Sequence, residues 1–311
     1  MSQFDRQPRR LIVTADDFGI AEEINDGIVE AFRDGIVTSA SLLMNGPATE
    51  HAVALARSHP RLEIGLHLSI VEGISLRGRP GTITDRRRYF GDHLCLHRHW
   101  RPFLGRYLTG RIDRGELEEE LELQIEQFRR HFGSVPFANA TQHLHLLPGI
   151  QDIVVRLARK HRIGALRIPA RSIAASRSRW LYRLAMTWLA RRALRKLRDS
   201  SIQVADHFGG FDVCGRMTEP RLSALLARVS AGTTEIMTHP GRECSQLRIG
   251  LPWGYLRFEW EQELHALTSA AIKGQLVSAG IDLIRFQDLE NGRVLIDGPR
   301  SATPQQGEES P

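Results

Sequence analysis

The sequence predicts an α/β barrel of seven or eight parallel strands, complete or incomplete, with a basic helical insertion. Apolar, β-branched runs alternate with segments of helical periodicity through most of the chain, which is the pattern of repeated βαβ units. A length of 311 residues suits one barrel domain. Eight strand-like runs are enough to close a barrel or nearly close it. An open, doubly wound sheet is the alternative.

The elements follow one another in this alternating order. The first helix is indicated by Ile24, Ile28 and Phe32 at helical spacing, before a stop at Gly35. The predicted strands are LIVTA (11–15), TSASLLM (38–44), LEIGLHL (62–68), ATQHLHL (140–146), ALRI (165–168), IQVAD (202–206), TEIMT (234–238) and IDLIRF (281–286). The remaining helices are predicted over residues 48–58, 116–132, 150–160, 218–230 and 257–274.

Two stretches interrupt this rhythm within one predicted catalytic domain, residues 10–290. Residues 71–114 are rich in Arg, Gly and His, whereas residues 171–200 form a basic helical insertion. Residues 298–311 have the polar, Gly- and Pro-containing composition of a disordered tail.

Charge is unevenly distributed. Residues 156–198 contain fourteen Lys or Arg and no Asp or Glu, although the whole chain carries only +6. An anionic membrane surface, nucleic acid or an acidic partner could bind such a block, but a solvated basic helix is equally consistent with it. We expect peripheral contact with an anionic membrane and no nucleic-acid partner.

Composition indicates a soluble protein. Apolar residues make up 41% of the chain, and none of the apolar runs reaches the length of about 18 residues that a membrane span requires. The polar amino terminus has no secretory signal pattern, so we expect a cytoplasmic protein, in peripheral contact with the inner face of the membrane. The scattered Cys95, Cys214 and Cys244 are expected to be free thiols.

Polar residues that could carry chemistry lie at the predicted strand ends. Asp16 and Asp17 close the first strand, and His67 lies on the third. His143 and His145 are two apart on the predicted fourth strand and should therefore share a face. His239 ends a later strand, in THPG. The carboxyl ends of barrel strands converge on one face, which is where active sites assemble.

Each motif alone has an ordinary structural explanation, such as a turn for Asp-Asp or a core position for a histidine. Together, two carboxylates and four histidines favour a metal site, because burying so many titratable groups without partners is costly. One carboxylate and two imidazoles would leave positions open for water and substrate. His93, His97 and His99 form a competing group in an Arg-rich insertion. We interpret this group as substrate-facing or incidental, and favour the latter.

The motifs TADDFG, GLHLS, QHLHL, LRIP, D-x-F-G and THPG occur in this order over about residues 10–290. The combination resembles the YdjC-like carbohydrate deacetylase family. The basic insertion and the QHLHL variant are similar to the branch associated with hopanoid biosynthesis, called HpnK. Many members have Asp-Ser where this chain has Thr141 and Gln142, so a carboxylate that would orient His143 is missing from that position.

The resemblance implies a NodB-like, distorted (β/α) barrel that deacetylates an N-acetylated amino sugar with one divalent ion, Mg²⁺ or Zn²⁺. It implies Asp16 as general base and His239 as general acid or oxyanion stabiliser. The implied metal ligands are Asp17, His67 and His143, and the implied substrate-binding residues are His145, Arg167 and Asp206.

Two other functions remain as alternatives. A metal-dependent phosphoesterase could use the same Asp and His ligands. A non-catalytic protein could use the basic block to bind a membrane or nucleic acid, with structural histidines. Within the insertion, the apolar stripe of RSRWLYRLAMTWLARRALRKLR shifts partway. The predicted helix therefore breaks near Leu189, or its second half packs on the barrel while the first faces lipid; a flap over the cleft is a further interpretation.

Overall fold

Parallel strands form a curved central sheet. The computed structural model of the protein describes residues 8–85, 91–176, 180–198, 200–245 and 257–289; the predicted tail lies outside them. The strands are β1 (Arg9–Phe18), β2 (Ser39–Leu42), β3 (Glu63–Leu68), β4 (Phe137–Ala140), β5 (Ala165–Leu166), β6 (His207–Gly209), β7 (Gly232–Thr238) and β8 (Ile281–Leu283).

Helices connect these strands, as the βαβ pattern predicts. Asp113 caps the helix Arg114–Phe132 by accepting hydrogen bonds from the backbone N–H groups of Gly115 and Glu116. The helices are α1 (Glu22–Arg33), α2 (Thr49–Ser58), α3 (Trp100–Leu108), α4 (Arg114–Phe132), α5 (Ile150–Lys160), α6 (Trp180–Leu197), α7 (Glu219–Leu226), α8 (Trp260–Thr268) and α9 (Ala270–Ala279).

The strand order is that of an incomplete barrel. It runs β5-β4-β3-β2-β1-β7-β6, with β8 paired to the amino-terminal part of β1, and every pair is parallel. The seven strands from β5 to β6 follow one another as they would around a barrel. Among the described residues, no regular ladder closes the barrel between β5 and β6. A single parallel bridge, Ala165 to Gln203, joins β5 to the segment before β6. The prediction of a distorted barrel is confirmed, and the doubly wound alternative is wrong.

The fourth and sixth predicted strands are displaced. β4 ends at Ala140, and residues 141–146 form an irregular 3₁₀ turn in which Gln142 and His143 have φ of 53° and 54°. The expectation that His143 and His145 share one face of a strand is therefore wrong, because the chain has left the sheet before reaching them. The predicted strand 202–206 is likewise wrong, since β6 begins only at His207.

The carboxyl-terminal helix is also divided. The sequence predicts one helix over residues 257–274, whereas α8 and α9 are separated at Ser269, whose ψ is 133°. The Ser269 side chain accepts a hydrogen bond from the N–H of Ala271 and so caps the second helix. Sequence periodicity did not detect this break because both helices bury apolar residues.

The basic insertion contains one helix without a break. In its second half Ala190, Ala193 and Leu197 are buried, which confirms that this half packs on the barrel. Its first half exposes Trp180, Leu181, Leu184 and Trp188. Among the helices described, none is long and apolar enough to cross a bilayer.

Candidate active site

The end of β1 directs two neighbouring carboxylates to different partners. Asp17 has φ of 69°, in the left-handed region that non-glycine residues rarely adopt. The chain turns there, and the N–H of Gly19 donates to Oδ1 of Asn25 at 2.7 Å, which holds the following loop against α1. Because of this turn, Asp16 and Asp17 both line one cavity although they are adjacent in a strand.

Asp16 is held by charged and polar donors. Arg167 donates from both terminal nitrogens, NH1 to Oδ2 at 2.5 Å and NH2 to Oδ1 at 2.9 Å. Ser41 Oγ and Asn139 Nδ2 donate to Oδ1 at 2.7 and 2.9 Å. Burial alone would raise the pKa of Asp16, but the adjacent Arg167 guanidinium, with contributions from His67 and His239, holds it well below its usual range. Asp16 is therefore an ionised carboxylate throughout the physiological range.

A second buried carboxylate shares the same guanidinium. Arg167 Nε donates to Glu235 Oε1 at 2.7 Å, and the Thr14 hydroxyl donates to the same oxygen at 3.0 Å. Burial raises the pKa of Glu235, an effect that Arg167 opposes without cancelling it. Arg167 is only 1% exposed, so it joins β5 to β1 and β7 from inside the barrel.

Asp17 faces His67. His67 Nε2 lies 3.5 Å from Asp17 Oδ1, and its other ring nitrogen, Nδ1, lies 2.5 Å from Asn139 Oδ1 and 3.3 Å from Ser41 Oγ. Burial lowers the pKa of His67, but the two neighbouring aspartates outweigh this and raise it. The two side chains have the oxygen and nitrogen donors that Mg²⁺ or Zn²⁺ can bind.

The third predicted ligand, His143, lines the same cavity without converging on that pair. Its ring packs edge-on against Phe211, with the centroids 4.8 Å apart. Its buried Nδ1 has no hydrogen-bond partner among the described residues. Burial and the charge of Arg167 hold the pKa of His143 well below its ordinary value, so the imidazole is neutral, as a metal ligand must be.

The donor chemistry therefore suits one divalent ion. Within the described residues, however, no three His, Cys, Asp or Glu side chains lie in an arrangement that could hold one. Asp17 and His67 are close enough to share an ion, and His143 is the neutral donor that stands apart from them.

His239 follows β7, the strand paired with β1, so it lies next to the end of β1 that carries Asp16. Its backbone N–H donates to Glu263 Oε2 at 2.5 Å, while its ring packs on Phe258 at 4.5 Å between centroids. The loop after it approaches α1 closely, because a Cβ atom on Gly27 would lie 2.4 Å from the Cα of Gly241. This close backbone contact fixes the direction of the His239 loop.

The cavity itself has a volume of about 770 Å³ and two kinds of wall. The inner wall carries the carboxylates and imidazoles described above. The outer wall is largely apolar and is formed mainly by α3 and α6: Trp100, Leu104, Tyr182, Met186 and Leu189, with Phe211 between the two walls. A ligand bound at the inner wall would extend along apolar side chains.

The predicted substrate-binding residues lie away from this cavity surface. His145 Nε2 bonds the carbonyl oxygen of Arg167 at 2.9 Å, and burial lowers the pKa of His145 to about 4. Arg167 is enclosed between Asp16 and Glu235. Asp206 precedes β6, at the opposite end of the strand from the site, and accepts from the N–H of Thr233. His145 and Arg167 are therefore buried and Asp206 is exposed, and none of the three lines the cavity in which contact with substrate was expected.

The competing histidine group has structural contacts in the insertion. His97 Nε2 bonds the carbonyl oxygen of Thr82 at 2.9 Å. His99 Nδ1 accepts from the N–H of Arg101 and caps α3, where it also lines the cavity mouth. The structure thus gives His97 a structural contact and places His99 on the cavity wall.

Sequence reasoning missed four residues that hold the site together. Glu235 was detectable, because a carboxylate inside the buried run TEIMT demands a partner. Ser41 and Asn139 are polar residues in short strand segments that carry no motif, and Glu263 lies on a helix. Only their contacts in the folded structure reveal Ser41, Asn139 and Glu263, whereas Glu235 is recognisable from its buried position in the sequence.

Comparison with known proteins gives one consistent family. The family model described as YdjC-like protein matches residues 10–278. A human protein named carbohydrate deacetylase is 34% identical, over 92% of this chain and 93% of its own length. A Klebsiella pneumoniae protein named chitooligosaccharide deacetylase is 33% identical, over 90% of this chain and 99% of its own.

A solved structure supports the architecture. A crystal structure from Enterococcus faecalis V583 matches with a TM-score of 0.68 and covers 91% of this chain and 99% of its own. At 22% sequence identity this likeness establishes the fold alone. The family model and the curated relatives span nearly the whole chain, and the protein therefore belongs to the YdjC-like family.

Proposed function

We propose that this protein is a carbohydrate N-deacetylase, which hydrolyses the acetamide of an N-acetylated amino sugar. The carrying observation is the juxtaposition of Asp16, Asp17, His67, His143 and His239 on the wall of one cavity at the carboxyl ends of the strands. The relatives named carbohydrate deacetylase and chitooligosaccharide deacetylase support the same class of substrate.

The proposal includes one divalent ion, Mg²⁺ or Zn²⁺. Asp17, His67 and His143 would hold it, with a movement of His143 toward the other two. When bound, such an ion would act as a Lewis acid on the acetyl group. Two observations support it. Asp17 Oδ1 lies 3.5 Å from His67 Nε2, and the neutral His143 in the same cavity has no hydrogen-bond partner for its Nδ1 among the described residues.

Asp16 and His239 are proposed as the acid–base pair. Asp16 would accept the proton of the attacking water, and its pairing with Arg167 keeps it ionised for that step. The same pairing lowers its proton affinity, so the ion pair works against its strength as a base. His239, at the end of the neighbouring strand β7, would donate a proton to the departing amine, because an amine leaves slowly without one.

We further propose that the substrate carries an apolar group, as a lipid-linked amino sugar of the hopanoid class would. The support is the outer wall of the cavity, where Trp100, Leu104 and Met186 lie beyond the catalytic residues. A free chitooligosaccharide would leave this apolar surface without a complementary partner.

Contact with an anionic membrane belongs to the same proposal. One face of α6 lines the cavity through Tyr182, Met186 and Leu189. Another face exposes Trp180, Leu181, Leu184 and Trp188 at 58%, 62%, 62% and 65%, beside the exposed Arg191 and Arg195. Aromatic and basic residues together are typical of interfacial helices. The same helix would thus meet the lipid surface and form the cavity wall.

Acetate release tests the activity. The purified protein should release acetate from N-acetylglucosamine derivatives and faster from a glycolipid bearing the same sugar, while leaving phosphate esters intact. Phosphate release without acetate release would favour the phosphoesterase alternative. His67→Ala should lose bound metal by elemental analysis, whereas His97→Ala, in the incidental group, should keep it. Full metal occupancy in His67→Ala would contradict the ligand assignment.

A further inference from the structure

Asn139 links the two functional side chains that lie on either side of it. Its Nδ2 donates to Asp16 Oδ1 at 2.9 Å, and its Oδ1 lies 2.5 Å from His67 Nδ1. The amide is only 1% exposed. It occupies β4 directly opposite His67 on β3, since the two residues are paired in the parallel ladder. The backbone of the sheet therefore sets the distance between the amide and the imidazole.

We propose that Asn139 is a positioning residue that fixes His67 in the tautomer with its proton on Nδ1 and directs the Nε2 lone pair toward Asp17. The inference rests on the proposed function, because a lone pair at this position is useful to a bound metal ion. A histidine ligand commonly depends on a partner at its other ring nitrogen, which sets tautomer and orientation.

The direction of each hydrogen bond follows from the donors that surround Asp16. Arg167 donates from Nη1 to Oδ2 and from Nη2 to Oδ1, so both oxygens of Asp16 act as acceptors. The end of the Asn139 side chain that faces Asp16 must then be its NH₂ group, and the end that faces His67 must be the carbonyl oxygen. A carbonyl oxygen only accepts, so His67 Nδ1 must carry a proton. Arg167 thereby determines the His67 tautomer through two intervening side chains.

Ser41 provides an independent check of this polarity. Its hydroxyl has one proton, which it donates to Asp16 Oδ1 at 2.7 Å. Its oxygen then faces His67 Nδ1 at 3.3 Å with lone pairs only, and again requires a proton on that nitrogen. Two different acceptors on β2 and β4 therefore specify the same tautomer.

Loss of the Asn139 amide oxygen would weaken the preference of His67 for the tautomer with its proton on Nδ1. In Asn139→Ala, His67 could place its proton on Nε2, where it would point toward Asp17 Oδ1, 3.5 Å away. That proton would occupy the lone pair needed for a metal ion. Losing such a partner typically costs about 10–100-fold in metal affinity.

Two measurements test the proposal. The first is ¹⁵N NMR of the His67 ring in metal-free protein, at a pH where the imidazole is neutral, with the signals assigned by their absence in His67→Gln. The second is Zn²⁺ affinity by chelator competition. Wild type should carry its proton on Nδ1. Asn139→Ala should show a mixture of tautomers and a Zn²⁺ affinity lower by about 10–100-fold. Thr14→Val, which removes a bond to Glu235 in the same network, should change neither.

Asn139→Asp retains the acceptor oxygen and provides the second variant if the alanine variant does not fold. His67 should keep its proton on Nδ1 in that variant. A proton on Nε2 in wild type or in Asn139→Asp, or unchanged tautomer and affinity in Asn139→Ala, would overturn the proposal. Failure of acetate release with an intact Nδ1 tautomer would instead contradict the proposed function, so the two failures are distinguishable.

Discussion

Asp16 and Arg167 form a two-pronged ion pair between residues 151 positions apart in the chain. Both side chains are at most 3% exposed, and Arg167 also reaches Glu235. One guanidinium thus compensates two buried carboxylates, with Thr14, Ser41 and Asn139 completing their hydrogen bonds. The proposed base is embedded in the structural centre of the barrel, so its chemistry and the stability of the fold are linked.

Arg167→Leu should destabilise the protein by about 3–5 kcal/mol, because it leaves two buried carboxylates without their cation. Urea unfolding of the metal-free protein measures this. Arg156→Leu is the matched control, since Arg156 pairs with Glu118 on the surface; its loss should be under about 1 kcal/mol. Equal losses in the two variants would show that the buried pair contributes no more than an exposed one.

Asp16→Asn should retain bound metal but lose about 100-fold or more in turnover, because it removes a proton acceptor and leaves Asp17 and His67 in place. Acetate release and elemental analysis of the same preparation measure the two effects. Asp26→Asn, on the partly exposed surface of α1, serves as the control for carboxylate loss. Turnover at the wild-type level in Asp16→Asn would rule out the role of base.

His239→Ala should slow amides with poor leaving groups more than activated esters or anilides, because only the former need a proton on the departing nitrogen. The ratio of kcat/KM for the two substrate types is the measurement. His265→Ala, at an exposed position of α8, controls for loss of an imidazole. A uniform loss on both substrate types would assign His239 to binding or oxyanion stabilisation.

Glu235→Gln should make the free energy of unfolding less dependent on pH. The folded protein holds the pKa of Glu235 above its ordinary 4.5, so its contribution is fully present below that value and is lost as the pH rises through the folded pKa. Both hydrogen bonds to Glu235 end on one oxygen, Oε1, which Gln can supply. The free energy of unfolding should therefore fall less in the variant as the pH rises above 4.5. Parallel curves for the two proteins would contradict the raised pKa.

Binding to anionic vesicles should weaken when Trp180 and Trp188 are replaced by Ser, or when Arg191 and Arg195 are replaced by Gln. Both variants should retain acetate release from a soluble substrate. The exposed aromatic rings and the arginine charges are both expected to contribute to membrane binding. Each charge should contribute about 1 kcal/mol, and this contribution should be screened by salt. Vesicle co-sedimentation at two salt concentrations measures this. A charge-matched control changes Arg57 and Arg61, which are both exposed, to Gln. Equal losses on soluble and lipid-linked substrates would assign α6 to the catalytic scaffold.

The sequence by itself determined the barrel and the placement of Asp16, Asp17, His67 and His239. Strands of a repeated βαβ pattern run parallel, so residues at their carboxyl ends must meet on one face, whatever the details of packing. The same local pattern predicted the basic helix. It left open whether that helix breaks near Leu189, packs its second half on the barrel or covers the cleft. These conclusions depend on periodicity and strand polarity, which neighbouring residues reveal.

Only the tertiary structure decided which polar groups touch. The positive φ of Gln142 and His143 takes the chain out of β4, so alternation no longer predicts where His143 and His145 point. Asp206 lies before its strand and Arg167 lies inside the barrel, because strand ends are set by long-range pairing. Asn139 acquires its partners through its register with His67, 72 residues away in the chain. A hydrogen bond over such a separation depends on the packed sheet, and no local signal in the sequence encodes it.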